Sequence, residues 1–147
     1  MYLISSVILE ILFFLLLDQL TKQLIYRSDF TYWFVDRSVG FQLQLNEGVA
    51  FSLGVPPFVT IPLAVIVVFL FVYVYEHFVL RSRLTRLVFA LFFAGTLGNL
   101  VDRVFYGRVI DFIQVFVWPT FNLADSYLVL ASVLVVFLHH RIFLHRF

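Results

Sequence analysis

Two aspartates, Asp111 and Asp125, stand out in a chain that otherwise contains little charge. The sequence of 147 residues is 63% hydrophobic and only 13% charged. Ionisable side chains are costly at membrane depth, so those that are retained there usually have a function. Two carboxylates that share one site can hold one proton between them and activate a water molecule without a metal or a thiol. If separate elements bring these side chains together, the pair is suited to acid–base catalysis of a hydrolysis.

Asp125 also has a purely structural explanation. Asn122 is a good helix N-cap, and Asp125 falls three residues later, as in a capping box. Capping and chemistry are compatible, because a helix N-terminus favours negative charge and should make Asp125 ionise more readily than Asp111. Our hypothesis is that Asp125 is the base towards water and Asp111 the proton donor to the scissile carbonyl.

Polar residues near the ends of two other segments are further candidates. Asp18 and Lys22 are four residues apart and can form an ion pair on one helix face, although a salt bridge at the lipid boundary would also explain them. Asn46 and Gly48 both tolerate positive φ, so a turn explains them. Their functional interpretation is a platform of backbone and amide groups for an extended peptide.

A denser polar group ends the third apolar segment. Asn99 and Asp102 share a helix face, and Arg103 follows Asn99 by four residues. Gly95 and Gly98, just before them, allow close helix approach, which is an ordinary packing device in membranes. The polar group exceeds what packing requires.

Other chemistries find little support in the sequence. The chain has no cysteine, which excludes thiol catalysis and cysteine metal sites. Ser126 lies beside Asp125, but no histidine is predicted on that side to complete a serine triad. The basic residues are too few for nucleic acid binding. The histidines invite a metal hypothesis, but all four are predicted on the opposite face and are explained as interfacial residues: His77, His139, His140 and His145.

The elements that must position these residues are membrane helices. The mean hydropathy is +1.02, and apolar segments of about 20 residues use most of the chain. They predict a mainly α, integral membrane protein, a four-transmembrane-helix bundle that forms a single membrane-embedded domain over residues 1–147. The predicted spans are Leu3–Tyr26, Phe58–Tyr75, Leu84–Val101 and Leu123–Leu144.

The basic residues suggest an orientation. They divide five against five between the two faces, but Arg81, Arg83 and Arg86 crowd one very short loop. This density predicts that the termini are cytoplasmic and that Asp111 and Asp125 lie near the outer face.

The two longer connections, Arg27–Pro57 and Asp102–Thr120, are predicted on the outer side. Phe41–Asn46 alternates apolar and polar residues, and Arg108–Val115 is rich in β-branched and aromatic residues. Both patterns are typical of strands. The sequence therefore predicts a small sheet at the outer interface.

Two other functions are open at this point. A proton-coupled carrier could use Asp18, Asp111 and Asp125 as a relay, which predicts carboxylates spread across the membrane depth. A non-catalytic membrane scaffold predicts that replacing both Asp111 and Asp125 by asparagine preserves function.

The motifs, in their order, resemble the lipoprotein signal peptidase (signal peptidase II) family. The most specific are Gly98–Arg103, Gly107–Phe112 and Phe121–Asp125. Asp18 with Lys22 and the segment Asn46–Phe51 match the family's two N-terminal motifs. The resemblance covers almost the whole chain. One departure is a stretch from Asp111 to Asp125 that is shorter than in many relatives.

The resemblance implies an aspartyl endopeptidase of the bacterial cytoplasmic (inner) membrane. Such enzymes remove the signal peptide from diacylglyceryl-modified prolipoproteins and cleave just before the lipidated cysteine. Asp111 and Asp125 would be the catalytic pair, the outer strands a small extracytoplasmic β-cradle, and globomycin-type inhibition is expected, with no cofactor and no metal. Residues expected to bind substrate or support the site are Asp18, Lys22, Asn46, Gly48, Asn99, Asp102, Arg103, Asn122 and Ala124.

Overall fold

The computed structural model describes residues 2–28, 30–47, 57–77 and 83–143. These residues form four helices and three strands, so the mainly helical fold with a small sheet is confirmed. In chain order the elements are α1 (Tyr2–Ser28), β1 (Tyr32–Val35), β2 (Val39–Asn46), α2 (Pro57–His77), α3 (Arg83–Tyr106), β3 (Val109–Val115) and α4 (Leu123–Phe143).

Helix α3 is the central element and packs against α1, α2 and α4. Two glycines let its neighbours approach closely, as the sequence predicted. A Cβ added at Gly95 would lie 2.6 Å from the carbonyl oxygen of Ala124, and one added at Gly98 would lie 2.5 Å from Oδ2 of Asp18. Glycine is therefore required where α1 and α4 contact α3.

The distribution of polarity is the reverse of that in a water-soluble protein. The side chains of Asp18 and Lys22 are completely buried, whereas Leu24, Phe69 and Phe137 are 68%, 70% and 78% exposed. Large apolar side chains cover the outward faces of α1, α2 and α4. Such a surface suits hydrocarbon rather than water, because lipid is the medium in which exposed apolar groups carry no penalty.

The helices lie where the apolar segments predicted them, with one correction. Helix α3 does not end at Val101 but continues to Tyr106, so Asp102 and Arg103 are helical residues rather than the start of a connection. Among the described residues, α3 is the one helix that is both long enough and apolar enough to span a membrane. Apolar stretches in α2 and α4, Phe58–Leu70 and Leu123–Phe137, are shorter.

The three strands form an antiparallel sheet in the order β1-β2-β3. Strands β2 and β3 confirm the two predicted strands, and their register pairs Gln44 with Asp111 and Asn46 with Val109. Asp111 thus lies within strand β3. Strand β1 was not predicted; it pairs with β2 at Gly40, which lies directly under Trp33.

Candidate active site

Asp111 of β3 and Asp125 of α4 are brought together by Asn122, the residue that caps α4. The side-chain amide of Asn122 donates from Nδ2 to Oδ1 of Asp111 at 2.7 Å. Its Oδ1 accepts the backbone N–H of Asp125 at 2.9 Å, and its own backbone N–H donates to Oδ2 of Asp125 at 3.3 Å. The predicted capping box is confirmed, and the same residue joins the two carboxylates.

Two further asparagines complete the hydrogen bonds to the pair. Asn46, at the end of β2, donates from Nδ2 to Oδ2 of Asp111 at 2.9 Å. Asn99 of α3 donates from Nδ2 to Oδ1 of Asp125 at 2.8 Å, and its Oδ1 accepts Nδ2 of Asn122 at 3.1 Å. Each carboxylate therefore accepts two N–H groups, and the three amides come from three different elements.

The surroundings of Asp111 favour its protonated form. The side chain is only 2% exposed, and this burial raises its pKa from 3.8 to about 6. The hydrogen bond from Asn46 opposes the shift, the charge of Asp125 adds to it, and the hydrogen bond from Asn122 opposes it. A carboxyl group with this pKa can hold a proton at mildly acidic pH and release it near neutrality.

A buried charge cluster of Asp18, Lys22 and Asp102 lies behind the pair. Nζ of Lys22 is 2.8 Å from Oδ2 of Asp18 and 2.9 Å from Oδ2 of Asp102, and all three side chains are fully buried. The cluster holds the elements of the site in place. Asp18 accepts the backbone N–H of Ala124 in α4 at 2.9 Å, and Asp102 accepts that of Ile110 in β3 at 3.1 Å.

Gln19 belongs to the site but was not predicted. Its Nε2 lies within hydrogen-bond distance of Oδ2 of Asp18 at 3.2 Å, Oδ1 of Asp102 at 3.1 Å and the carbonyl oxygen of Gly98 at 3.2 Å. The only local signal was its position between Asp18 and Lys22, because its partners on α3 are distant in sequence.

The two aspartates line one cavity of about 640 Å³. One part of its wall is polar, with Arg103 among the lining residues, and the positive charge of Arg103 acts on both carboxylates. The other part is apolar and comes from the segment before α4 and from α4 itself. The lining residues are Gln44, Asn46, Asn99, Arg103, Val109, Asp111, Val117, Trp118, Pro119, Thr120, Phe121, Asp125, Leu128 and Val129.

Most of the predicted site residues are gathered in this region. Arg103 donates to the backbone carbonyl of Asn99 at 3.3 Å, and Ala124 takes part through its backbone N–H. Gly48 lies outside the described residues. The carboxylates of Asp18, Asp111 and Asp125 belong to one hydrogen-bonded group. The proton-relay alternative requires them to be spread along the bundle instead. Within the described ranges, no group of three metal-binding side chains occurs; the side chains of the four histidines are not among those described.

Comparisons with known proteins agree on one family. The family model for signal peptidase (SPase) II matches residues 10–141. A lipoprotein signal peptidase of Chlorobium phaeobacteroides is 33% identical over 146 aligned residues, covering 88% of this chain and 86% of the relative. One of Psychromonas ingrahamii is 33% identical over 134 residues, covering 84% and 78%. Among solved structures, a bacterial membrane enzyme determined by the in meso method at 2.3 Å resolution has a TM-score of 0.85 and 26% identity, covering 94% of this chain and 89% of that chain.

Proposed function

Because the chain belongs to the signal peptidase II family, and is therefore an aspartyl endopeptidase that removes signal peptides from prolipoproteins, we propose that Asp111 and Asp125 are its catalytic pair. The observation that carries this proposal is that Asn122 hydrogen-bonds to both carboxylates at the wall of one cavity. Its side chain donates to Asp111 and its backbone N–H donates to Asp125. Two carboxyl groups in such a site share a proton, because two close anions away from water repel strongly.

The pair can hydrolyse a peptide bond without a covalent intermediate. Asp125, as the ionised carboxylate, takes a proton from water while Asp111 donates its proton to the carbonyl oxygen. The water oxygen bonds to the carbonyl carbon and forms a tetrahedral intermediate. When that intermediate collapses, the carbon–nitrogen bond breaks and the proton on Asp125 passes to the leaving amine. A hydroxyl proton of the intermediate returns to Asp111 as the carboxylic acid product forms.

The surroundings of the two carboxyl groups support this division of roles. Asp125 is in the first turn of α4, where the helix N-terminus favours negative charge. Burial raises the pKa of Asp111 to about 6, which favours the proton donor at that position. Arg103, whose charge acts on both groups, would orient the substrate or the pair.

The remaining residues of the site would position these groups. Asn46, Asn99 and Asn122 fix the carboxylates by hydrogen bonds, while the buried charge cluster holds the start of α4 and strand β3. Gly48 follows Asn46 in the matching family motif and would contribute backbone to the substrate platform.

We extend the proposal to the membrane setting and the substrate. The four helices would span the bacterial inner membrane as a single domain, with cytoplasmic termini and the site near the outer face. The substrate would carry a diacylglyceryl group on cysteine, and cleavage would occur just before that residue. The apolar part of the cavity wall supports this substrate, since it can take up apolar surface. Globomycin-type compounds would inhibit by occupying the same cavity.

The test is cleavage of a lipidated prolipoprotein by the purified protein. Asp111→Asn and Asp125→Asn should each abolish cleavage while thermal unfolding shows a folded protein. Asp36→Asn, at an exposed position beyond β1, is the matched control and should cleave at the wild-type rate. Normal turnover by Asp111→Asn would remove the proposed pair, and inhibition by a chelator would direct attention to the histidines.

A further inference from the structure

Lys22 is a buried cation whose three hydrogen-bonding directions are all used. Its Nζ contacts Asp18 at 2.8 Å and Asp102 at 2.9 Å, and it donates to Oδ1 of Asn99 at 3.1 Å. A lysine ammonium has three donors and no acceptor. The ion pair with Asp18 lies within α1 and the one with Asp102 joins α1 to α3. The third contact reaches Asn99, which itself contacts the proposed catalytic pair.

The contact with Asn99 determines which way round its amide lies. Because the ammonium of Lys22 can only donate, it requires the oxygen of the Asn99 amide to face it. The NH₂ group must then point away from Lys22, and it donates to Oδ1 of Asp125 at 2.8 Å. In a flipped amide, NH₂ would face the ammonium and oxygen would face a carboxylate.

The orientation of the Asn99 amide in turn fixes that of the Asn122 amide. Oδ1 of Asn99 accepts a second hydrogen bond, from Nδ2 of Asn122 at 3.1 Å. This fixes the NH₂ group of Asn122 on the side where it also donates to Asp111, and its oxygen on the side of the Asp125 backbone N–H. One buried ammonium therefore specifies the orientation of two amides.

We propose that Lys22 is a positioning residue for the cleavage reaction: its ammonium sets the amides of Asn99 and Asn122 so that both donate to the carboxylates of Asp125 and Asp111. The inference rests on the proposed function of that pair. It differs from a structural role for Lys22, which would end with its ion pairs to Asp18 and Asp102.

The charge of Lys22 gives the proposal a readout besides rate. Its positive charge favours the ionised form of Asp111. The other charged groups that face Asp111 are Asp125 of α4 and Arg103 of α3. Loss of the Lys22 charge alone should therefore move the titration of Asp111 to higher pH.

The decisive variant keeps the net charge of the cluster. Lys22→Met alone leaves Asp18 and Asp102 buried without a cation and can fail to fold. Asp18→Asn combined with Lys22→Met leaves Asp102 as the one charge, which is the same net charge of −1 as Asp18, Lys22 and Asp102 together. Asparagine at position 18 also retains an oxygen for the backbone N–H of Ala124. Asp18→Asn alone is the control: its NH₂ group replaces the oxygen that faces Lys22, and the ammonium keeps Asp102 and Asn99 as partners.

The double variant leaves Asp102 buried without a cation and should therefore unfold at a lower temperature than Asp18→Asn. In assays below both unfolding temperatures, we expect its kcat to be lower by about tenfold or more, with little change in KM. The fall in rate that accompanies deprotonation of Asp111 should occur at higher pH in the double variant than in Asp18→Asn. Equal kcat and an equal pH profile in the two variants would overturn the proposal and leave Lys22 a structural role.

A second comparison tests whether Lys22 acts through Asn99. In a background that carries Asp18→Asn and Asn99→Ala, adding Lys22→Met should cause little further loss of kcat, because residues that act through one another are not additive. A further loss as large as that seen with Asn99 present would contradict the mechanism. Failure of the proposed function is distinguishable, because it would appear as normal cleavage by Asp111→Asn with Lys22 intact.

Discussion

At the scale of single residues, two identical carboxyl groups are made different by their surroundings. Asp111 is on a strand and almost fully buried, whereas Asp125 is in the first turn of a helix and only partly buried. Asp111 receives its two hydrogen bonds from the side chains of Asn46 and Asn122, while Asp125 receives one of its two from the backbone at the helix start. This asymmetry is what allows one group to be the acid and the other the base.

The first prediction concerns the pH dependence of cleavage. If Asp111 is the proton donor, kcat/KM should fall as pH rises through about 6, because the free enzyme then loses the proton that the reaction requires. The measurement is kcat/KM for a lipidated prolipoprotein between about pH 4.5 and 8. A rise across the same range would reverse the roles of the two aspartates.

The second prediction concerns the pH dependence of stability. The pKa of Asp111 is raised from 3.8 to about 6 in the folded protein, so the folded state holds this proton more tightly than the unfolded state. The resulting stabilisation is present below about pH 4 and is lost as pH rises through about 6, an effect of up to about 3 kcal/mol.

Thermal unfolding in detergent at several pH values measures this effect as a difference between proteins. The fall in stability between pH 4 and 7 should be smaller in Asp111→Asn than in the wild type, because asparagine does not titrate. Asp36→Asn should follow the wild type. Parallel curves for Asp111→Asn and the wild type would refute the raised pKa.

At the scale of elements, the start of α4 serves as both a helix cap and a catalytic platform. Asn122 and Asp125 cap each other, and Asp18 of α1 accepts the backbone N–H of Ala124. These bonds satisfy donors that every helix leaves unpaired at its first turn. They also require α1, α3 and α4 to lie very close together, which the glycines of α3 permit.

The third prediction compares two glycine substitutions on α3. Alanine is normally favoured over glycine in a helix by about 1 kcal/mol, but overpacking costs about 1–3 kcal/mol. At Gly98 the new Cβ would lie 2.5 Å from Asp18 Oδ2, and at Gly95 it would lie 2.6 Å from the Ala124 carbonyl oxygen. Both neighbours are fixed by the packing, so both variants should unfold at lower temperature than the wild type.

Gly98→Ala should lose more activity than Gly95→Ala for the same loss of stability, since it displaces a member of the buried charge cluster directly. Cleavage rate plotted against unfolding temperature for the two variants checks this. If Gly98→Ala has the stability and the cleavage rate of the wild type, Asp18 can move aside for the new Cβ and the prediction is wrong.

Local patterns predicted the parts of the site that depend on neighbouring residues. The ion pair of Asp18 and Lys22 follows from a spacing of four, and the capping box of Asn122 and Asp125 from a spacing of three. The close packing at Gly98 follows from the absence of a side chain.

Local patterns cannot predict contacts between segments that are distant in sequence. Gln19 was missed because Asp102 and Gly98 reach it only in the folded bundle. The apolar segment ends at Val101, but α3 continues because Lys22 and the Ile110 N–H satisfy the charge of Asp102 within the fold. Strand β1 is four residues long, too short for its alternation to be informative.

At the scale of the whole molecule, the polar site is enclosed and the apolar surface faces outward. In the part of the chain that the structure describes, the ionisable side chains of Asp18, Lys22, Asp102 and Asp111 are at most 2% exposed, while apolar side chains cover the outer faces of the helices. Lipid supplies the surroundings that such a surface requires, and the helices in turn satisfy their own backbone groups. Charged and polar side chains are thus concentrated at and behind the cavity, where the proposed cleavage takes place.

The fourth prediction tests which side of the membrane holds the site. The sheet carries Asp111, so the turn between β1 and β2 should lie on the same side as the cavity, and the start of α3 on the other. The chain has no cysteine, so a single introduced cysteine reports its own position and the unmodified protein is a clean control. Asp36 in that turn and Arg83 at the start of α3 are both exposed and are suitable positions.

In intact spheroplasts, a membrane-impermeant maleimide should label Asp36→Cys, whereas Arg83→Cys should be labelled only after the membrane is opened. Both variants should still cleave prolipoprotein, which verifies that the labelled molecules are folded. The expected pattern follows from the cluster of arginines around position 83, because basic loops are retained in the cytoplasm. Labelling of Arg83→Cys alone in intact spheroplasts would put the carboxyl pair on the cytoplasmic side. A precursor whose cleavage site has crossed the membrane would then not meet the pair, so this outcome would contradict the proposed topology even if both variants were active.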